Sequence, residues 1–521
     1  MNRILPPTVF TLILLLAIAG KAFATTYYIA ATGSDSNNGT SNATPWLHAP
    51  GMKGCSASCG SASPKPGDQF ILRGGDTWTP SSLPWVWSWA GSSGSNILIG
   101  VDQTWFTGAS WTRPVITGLG TYPGASTAFF LNLGSESYVT VANLEFTGLN
   151  WTANLIGEDA YIAENGGTYV RIHDCYFHGW SHSAGVEENN DANALFTGSN
   201  SITNEFYNNV IDGSDTKKDS FGGIYGGGFG NVYQNYFAWL DNGMNTAYVQ
   251  TLHDNTFVNT GVQTYPGGVS HWNVMESNTD APGFVVYNNL FLHMNPNSSG
   301  GIGIQLAPQA GATTYFFNNV LADELIAGNQ LMCGSALSNP GGSCTIFNNT
   351  EECGADASGP NQACLRMGSG WGTPPSGAQL MNNHVITSSS PIQIDGTCGS
   401  CTVAQNPNPQ TKQTLPVANG QGYTLAETHA FSPTSSSGVT VGAGVDESSL
   451  CTTIGVINSA AGTACLSDTT YGVSYDSTNH TVSWPARTPV TRTPGAWDVG
   501  AYFYANSSAP KAPTGLAAVV Q

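Results

Sequence analysis

Along the middle of the chain one short pattern of apolar and polar positions keeps returning: two strand-forming residues, a polar pair, then more strand formers. It reads FYNNVI at Phe206 to Ile211, VYQNYF at Val232 to Phe237, LHDNTF at Leu252 to Phe257 and VYNNLF at Val286 to Phe291, and continues as FFNNVL, IFNNTE and LMNNHV. Aligned on the second polar residue, the repeats give Asn209, Asn235, Asn255, Asn289, Asn319, Asn349 and Asn383, with Cys175 of HDCYF one repeat earlier. The spacing runs from 20 to 34 residues. One constant motif with variable filler at such a period is the signature of a solenoid whose insertions bulge outward.

Val, Ile, Tyr and Phe flank the Asn pair, and Asn tolerates the left-handed backbone of a one-residue bend, so each repeat predicts strand, sharp corner, strand. Stacked coils set equivalent Asn side chains about 4.8 Å apart, close enough for each amide to donate to the next carbonyl. Helical solenoids fit poorly: Gly is 63 of 521 residues, charged residues are 9%, and no long 3.6-residue periodicity appears. The expected fold is all-β, a single-stranded right-handed parallel β-helix with an Asn ladder and capped ends.

The first residues, MNR, an apolar run from Val9 to Ala19 and Ala-Phe-Ala at Ala22 to Ala24, have the layout of a secretory leader cleaved after Ala24. That run is too short for a membrane span and nothing later resembles one, so the chain is expected to be secreted and without a membrane span. Ten of the 11 cysteines fall into close pairs, Cys55/Cys59, Cys333/Cys344, Cys353/Cys364, Cys398/Cys401 and Cys451/Cys465, which predict five local disulfides. A zinc reading is weaker, because the pairs lie in separate coils without a companion His. Cys175 is the odd one, expected to be buried and unpaired at its place in the ladder. A formal net charge of −19 argues against nucleic-acid partners and against strongly anionic polymers unless a metal or a basic cluster intervenes.

The segment TTYYIAATGSDSNNGTSNATPWLHAPGM and then PGDQFILRGGDTW, from Thr26 to Trp78, resembles the opening of secreted bacterial parallel β-helix proteins of the pectate-lyase-like fold. GVDESSLC and RTPGAWDVGAYFY resemble the closing segment of the same group. The expected organisation is a leader over 1–24, an N-terminal strand and cap region over 25–135, coils over 136–407, a closing segment over 408–505 and a linker-like tail over 506–521. The ends need caps, since an open coil exposes strand edges and apolar core. Trp85, Trp87 and Trp89 share one face of an extended strand and suit either a carbohydrate platform or, preferred here, the apolar plug of a cap.

Counting from the ladder aligns the loops of successive coils. Three residues past it lie His178 and Asp212, and six past it Asp215 and Asp241. In stacked loops Asp215 and Asp241 would sit about 5 Å apart, the separation of a retaining glycosidase pair and also suited to Ca²⁺ ligation with Asp212. Lys217 and Lys218 lie in the same loop of a lysine-poor chain, where a uronate lyase would need a base and a charge partner; a solvated Asp/Lys turn is the plain alternative. Pectate and alginate lyases share the fold, and the resemblance stops at that level, with no lyase motif matched residue by residue. His178, Trp180, His182, Glu187 and Glu188, with Trp239, Tyr265, His271 and Trp272, are the expected sugar-binding set, aromatic faces stacking on pyranose rings and polar groups meeting hydroxyls. His178 and His182 at this spacing on a Gly-containing loop make a weak metal pair. The expected function is a monomeric, secreted carbohydrate-active protein cleaving a polysaccharide by hydrolysis or Ca²⁺-dependent elimination; the alternative is a non-catalytic glycan-binding or adhesive rod.

Overall fold

The structure is a computed structural model describing residues 24–121, 129–151, 159–182, 192–198, 201–215, 222–240, 242–246, 249–260, 273–277, 283–294, 303–322, 331–334, 342–352, 363–368, 377–386, 390–394, 400–404, 423–424, 432–492 and 494–504. Among the described residues the long sheets are three and parallel, called A, B and C, of 13, 11 and 12 strands, one of the 12 lying off the main path of sheet C. One turn of chain gives Arg171–His173 to A, Tyr176–His178 to C and Ala192–Thr197 to B, then returns to A with Ser201–Tyr207. This is the right-handed parallel β-helix the repeat predicts.

The corner between sheets A and C is the Asn motif itself. Its first polar residue takes the left-handed conformation in each repeat, with φ 56° at Asp174, 55° at Asn208, 57° at Gln234 and 58° at Asn288. The second points inward and builds the ladder. The side-chain amide of Asn209 donates to Asn235 Oδ1 at 3.0 Å, Asn235 to Asn255 at 3.0 Å, Asn255 to Asn289 at 3.0 Å and Asn289 to Asn319 at 2.9 Å. Asn349 continues it to Asn383. Cys175 is free and buried, its N–H donating to Asn209 Oδ1 at 3.0 Å. Two residues past the ladder runs an interior row of Phe177, Ile211, Phe237, Phe257, Phe291, Leu321 and Val385, interrupted once by Glu351.

Coiling starts earlier than Tyr138: Thr26–Ile29, Gln69–Gly74 and Ile97–Phe106 are the first three rungs of sheet A. Trp85 and Trp87 are buried in the core, with Val86 between them 45% exposed, so the Trp run serves as a plug. The C-terminal residues do something the sequence does not announce. Helices Ser448–Ile457 and Ser459–Cys465, joined by the Cys451–Cys465 disulfide, pack on the outer face of sheet A against Tyr287, Phe317 and Phe347. The following chain crosses sheet C, burying Tyr471 and Tyr502 against Leu290, Leu292 and Val320. The segment thus lies lengthwise along two sheets, because their outward rows in these coils are apolar and a parallel sheet needs both faces covered.

Cys55–Cys59 and Cys333–Cys344 are also bonded. Cys364 and Cys401 are disulfide-bonded too, while their expected partners Cys353 and Cys398 lie outside the described residues. Among the described residues no helix is long and apolar enough to cross a membrane.

Candidate functional site

The stacking rule places His178 directly beside Asp212, its partner in the neighbouring strand of sheet C, with Thr147 on the other side. His178 is held from three directions. Its Nδ1 lies 2.9 Å from Asp215 Oδ2 and its Nε2 3.1 Å from Glu145 Oε1. From the interior, the Tyr161 hydroxyl donates to the His178 carbonyl. Burial opposes the imidazolium, but the hydrogen bonds and charges of Asp215 and Glu145 outweigh it and carry the His178 pKa from 6.5 up to about 9. Both ring nitrogens therefore donate. Asp215 also accepts from the Gly179 N–H at 3.3 Å, and its side chain stays 42% exposed.

Tyr176 stacks on His178 at 4.2 Å and, on its other face, on His480 at 4.0 Å. His480 comes from the hairpin Ser474–Asp476/Thr481–Ser483. Tyr475 of the same hairpin stacks on Tyr236 at 4.1 Å, and its hydroxyl lies 2.8 Å from His480 Nδ1. Burial, then the charge on His178, push the His480 pKa below 6.5, toward a neutral ring. The buried Arg113 guanidinium fastens the hairpin, donating to the carbonyls of Asn479 at 2.9 Å and His480 at 3.1 Å. Asp212 is nearly buried beneath this cover, accepting from Ser214 N–H at 2.9 Å and Tyr475 OH at 3.4 Å. Burial, with Asp212, Asp215 and Glu145 nearby, pushes the Tyr176 hydroxyl well up, so it remains a proton-bearing donor.

Around the corner, the outer face of sheet B carries one side chain per coil in a continuous row. Phe196, Tyr225, Asn245, Glu276 and Gln305 are successive partners, and Arg366 lies in the same row two coils on. Phe129 and Phe196 rings stack at 5.8 Å, and Phe196 and Tyr225 at 6.3 Å; all three are half-buried. Glu276 Oε2 accepts from Asn245 at 3.2 Å and from Asn273 at 3.0 Å. The row passes from aromatic to amide and acid, and beyond Arg366 the next strand partner is Gln393.

Of the residues expected from sequence, His178, Asp212 and Asp215 come together. Trp180 does not face a groove: it is fully buried, its indole packed against Tyr161 at 5.1 Å. Gly179, at φ 72°, reverses the chain at the end of the strand and drives the next side chain inside. Trp239 is half-buried at the equivalent corner one repeat beyond Asp212, itself left-handed at φ 56°. Glu187, Glu188, Lys217, Lys218, Asp241, Tyr265, His271 and Trp272 lie outside the described residues, as does the His182 side chain. Among the described residues no three His, Cys, Asp or Glu side chains are grouped to hold a metal ion; Asp212 and Asp215 are turned toward Tyr475 and His178. Glu145 and Tyr176 were legible by ladder counting, one position past Leu144 and Cys175. Arg113, Tyr475 and His480 carry no such signal.

No family model and no curated protein matches the chain. Among solved structures it is similar to a pectate lyase at 15% identity and TM-score 0.40, covering 93% of this chain and 97% of that one. A rhamnogalacturonan lyase follows at 14% and 0.40, covering 74% and 88%, and a mannuronic acid specific polysaccharide family 6 lyase from human gut microbiota at 14% and 0.41, covering 64% and 79%. Likenesses this distant carry nothing about activity.

Proposed function

We propose that this is a secreted carbohydrate-active protein that binds a polysaccharide along the outer face of sheet B and cleaves it at the adjoining Asp215 corner. The observation that carries the reading is the row Phe196–Tyr225–Asn245–Glu276–Gln305, with Arg366 two coils on, which sets apolar rings, amides and charges along one face, the first three half-buried and Glu276, Gln305 and Arg366 nearly buried. Such a strip suits a long chain of sugar rings, and the loops beside it in sequence carry Glu187, Glu188, Lys217, Lys218, Asp241, His271 and Trp272.

In this reading Asp215 is one carboxylate of the reacting pair and Asp241 the second. Glu145 and His178 act as positioning residues: the imidazolium orients Asp215, and Glu145 holds the imidazolium. Glu145, Asp212 and Asp215 outnumber the His178 cation, so the described corner favours a neutral glycan and hydrolysis. Elimination on a uronate would instead draw on Lys217 or Lys218, with Ca²⁺ at Asp212, Asp215 and Asp241.

The test is a panel of plant, algal and bacterial polysaccharides read for new reducing ends and for the ultraviolet absorbance of an unsaturated product. Reducing ends alone mean hydrolysis. Both signals, lost on chelation, mean Ca²⁺-dependent elimination. Binding without either signal leaves the non-catalytic rod. Asp215→Asn is expected to lower kcat by about a hundredfold or more, and kcat/KM should fall as pH rises through about 9, where His178 loses its proton. An Asp215→Asn variant as active as the parent would remove this corner from the reaction.

A further inference from the structure

The outer face of sheet A holds a second groove, separated from sheet C by the Asn corner. It encloses about 630 Å³ between the strands of four successive coils and the returning C-terminal chain, within the size of small-ligand clefts. On the sheet side its walls include Glu205, Asn231, Thr251 and Asn288; across from them stand Asn458 and Trp484.

Three features mark it as a binding cleft rather than a packing gap. First, Asn288 is 4% exposed and its Oδ1 has no hydrogen-bond partner, an acceptor that burial without a partner would penalise. Second, Trp484 is 49% exposed beside a polar floor. The floor rings cannot stack on a ligand, because Tyr207, Tyr233, His253 and Tyr287 already cover one another's faces at 4.9, 5.0 and 4.7 Å. They show the groove only edges, so the indole supplies the stacking surface. Third, the acids are already placed: Asp254 lies 2.6 Å from His253, Asp468 is bound by Arg487 at 2.7 Å, and Glu205 takes Arg171 at 2.5 Å. His253 is the one basic residue among the lining groups and is already paired with Asp254, so the lining holds no spare cation for an anionic ligand.

We propose that this groove binds a neutral saccharide, one pyranose face lying on Trp484 and its hydroxyls donating to Asn288 Oδ1. The choice of a sugar rests on the carbohydrate reading of sheet B; the cleft itself does not. The site lies on a different face from Asp215, so it would anchor a polymer without taking part in cleavage.

The test is affinity electrophoresis through native gels containing xylan, glucomannan or polygalacturonate. It is run in a Tyr225→Ala background, which weakens the sheet B face. Retardation by xylan or glucomannan and none by polygalacturonate is expected, with Trp484→Ala binding about tenfold more weakly and Trp484→Phe retaining most of the affinity. Trp484→Ala should leave the cleavage rate on a short soluble oligosaccharide unchanged. Equal retardation of the Trp484→Ala variant, or no retardation by either neutral polymer, would overturn the proposal even where cleavage is observed. Conversely, Trp484-dependent retardation in a chain that cleaves nothing would sustain this site and sink the catalytic reading.

Discussion

Replacing Glu351 by Leu is expected to stabilise the fold, and to do so far more in alkali than in acid. Glu351 points into the interior between Leu321 and Val385, where the other coils place Phe, Ile or Leu. It is fully buried and neither carboxylate oxygen has a hydrogen-bond partner. Burial raises its pKa from 4.5 to about 8. Below 4.5 the group is neutral in both folded and unfolded chains and takes nothing from stability by ionising. Between 4.5 and 8 the unfolded chain ionises while the folded one stays protonated, so stability falls with rising pH, by as much as about 5 kcal/mol once both values are passed. Glu164, moved from 4.5 to about 7 chiefly by burial, pulls the same way. His178, raised to about 9, adds stability that is whole below 6.5 and lost through 9. Denaturant unfolding near pH 4 and near pH 9 checks this. The Leu variant should gain about 2 kcal/mol in acid, where only an unpartnered neutral carboxyl is removed, and several more in alkali. Parallel pH profiles for parent and variant would show that Glu351 is hydrated in the folded state.

Asn289→Ala is expected to cost about 4 kcal/mol. The Asn289 amide donates to Asn319 Oδ1 at 2.9 Å, to the Leu252 carbonyl at 3.0 Å and to the Tyr287 carbonyl at 3.1 Å. Its Oδ1 accepts from both the backbone and the side-chain nitrogen of Asn255 at 3.0 Å. Truncation leaves the Asn255 N–H buried with no acceptor and a void one amide wide. Because each ladder amide orients the next, the loss should spread to neighbouring coils. Chemical denaturation with hydrogen exchange at Asn255 would measure it. Cys175→Ala, at the ladder's N-terminal end, should cost much less, since Asn209 still meets the Cys175 backbone N–H; equal losses at the two positions would mean that the ladder is not cooperative.

The coil architecture was legible because its cause is local. A left-handed Asn followed by an inward Asn imposes one corner per repeat, and counting from it placed His178 beside Asp212 correctly. The same count, taken two positions past Asn349, reaches Glu351 and marks it as interior. Counting failed where the backbone reversed: Gly179 turned Trp180 inward, and alternation along a strand contains no warning of that. It also could not reach what the C-terminal chain brings from far away. His480 meets Tyr176 and Arg113 grips Asn479 across more than 300 residues of sequence, contacts decided by which outward rows were apolar enough to need covering. The Asp215 carboxylate reaches His178 of the preceding coil, and its expected neighbour Asp241 lies outside the described residues.

The most direct measurement is a crystal structure of the Asp215→Asn variant soaked with an oligosaccharide cut from whichever polysaccharide the parent degrades or binds. Sugar rings are expected to lie along Phe196, Tyr225, Asn245 and Glu276, with a glycosidic oxygen within hydrogen-bonding reach of residue 215. Sugar bound elsewhere with sheet B bare, or a chain crossing the row with residue 215 out of reach of every linkage, would contradict it.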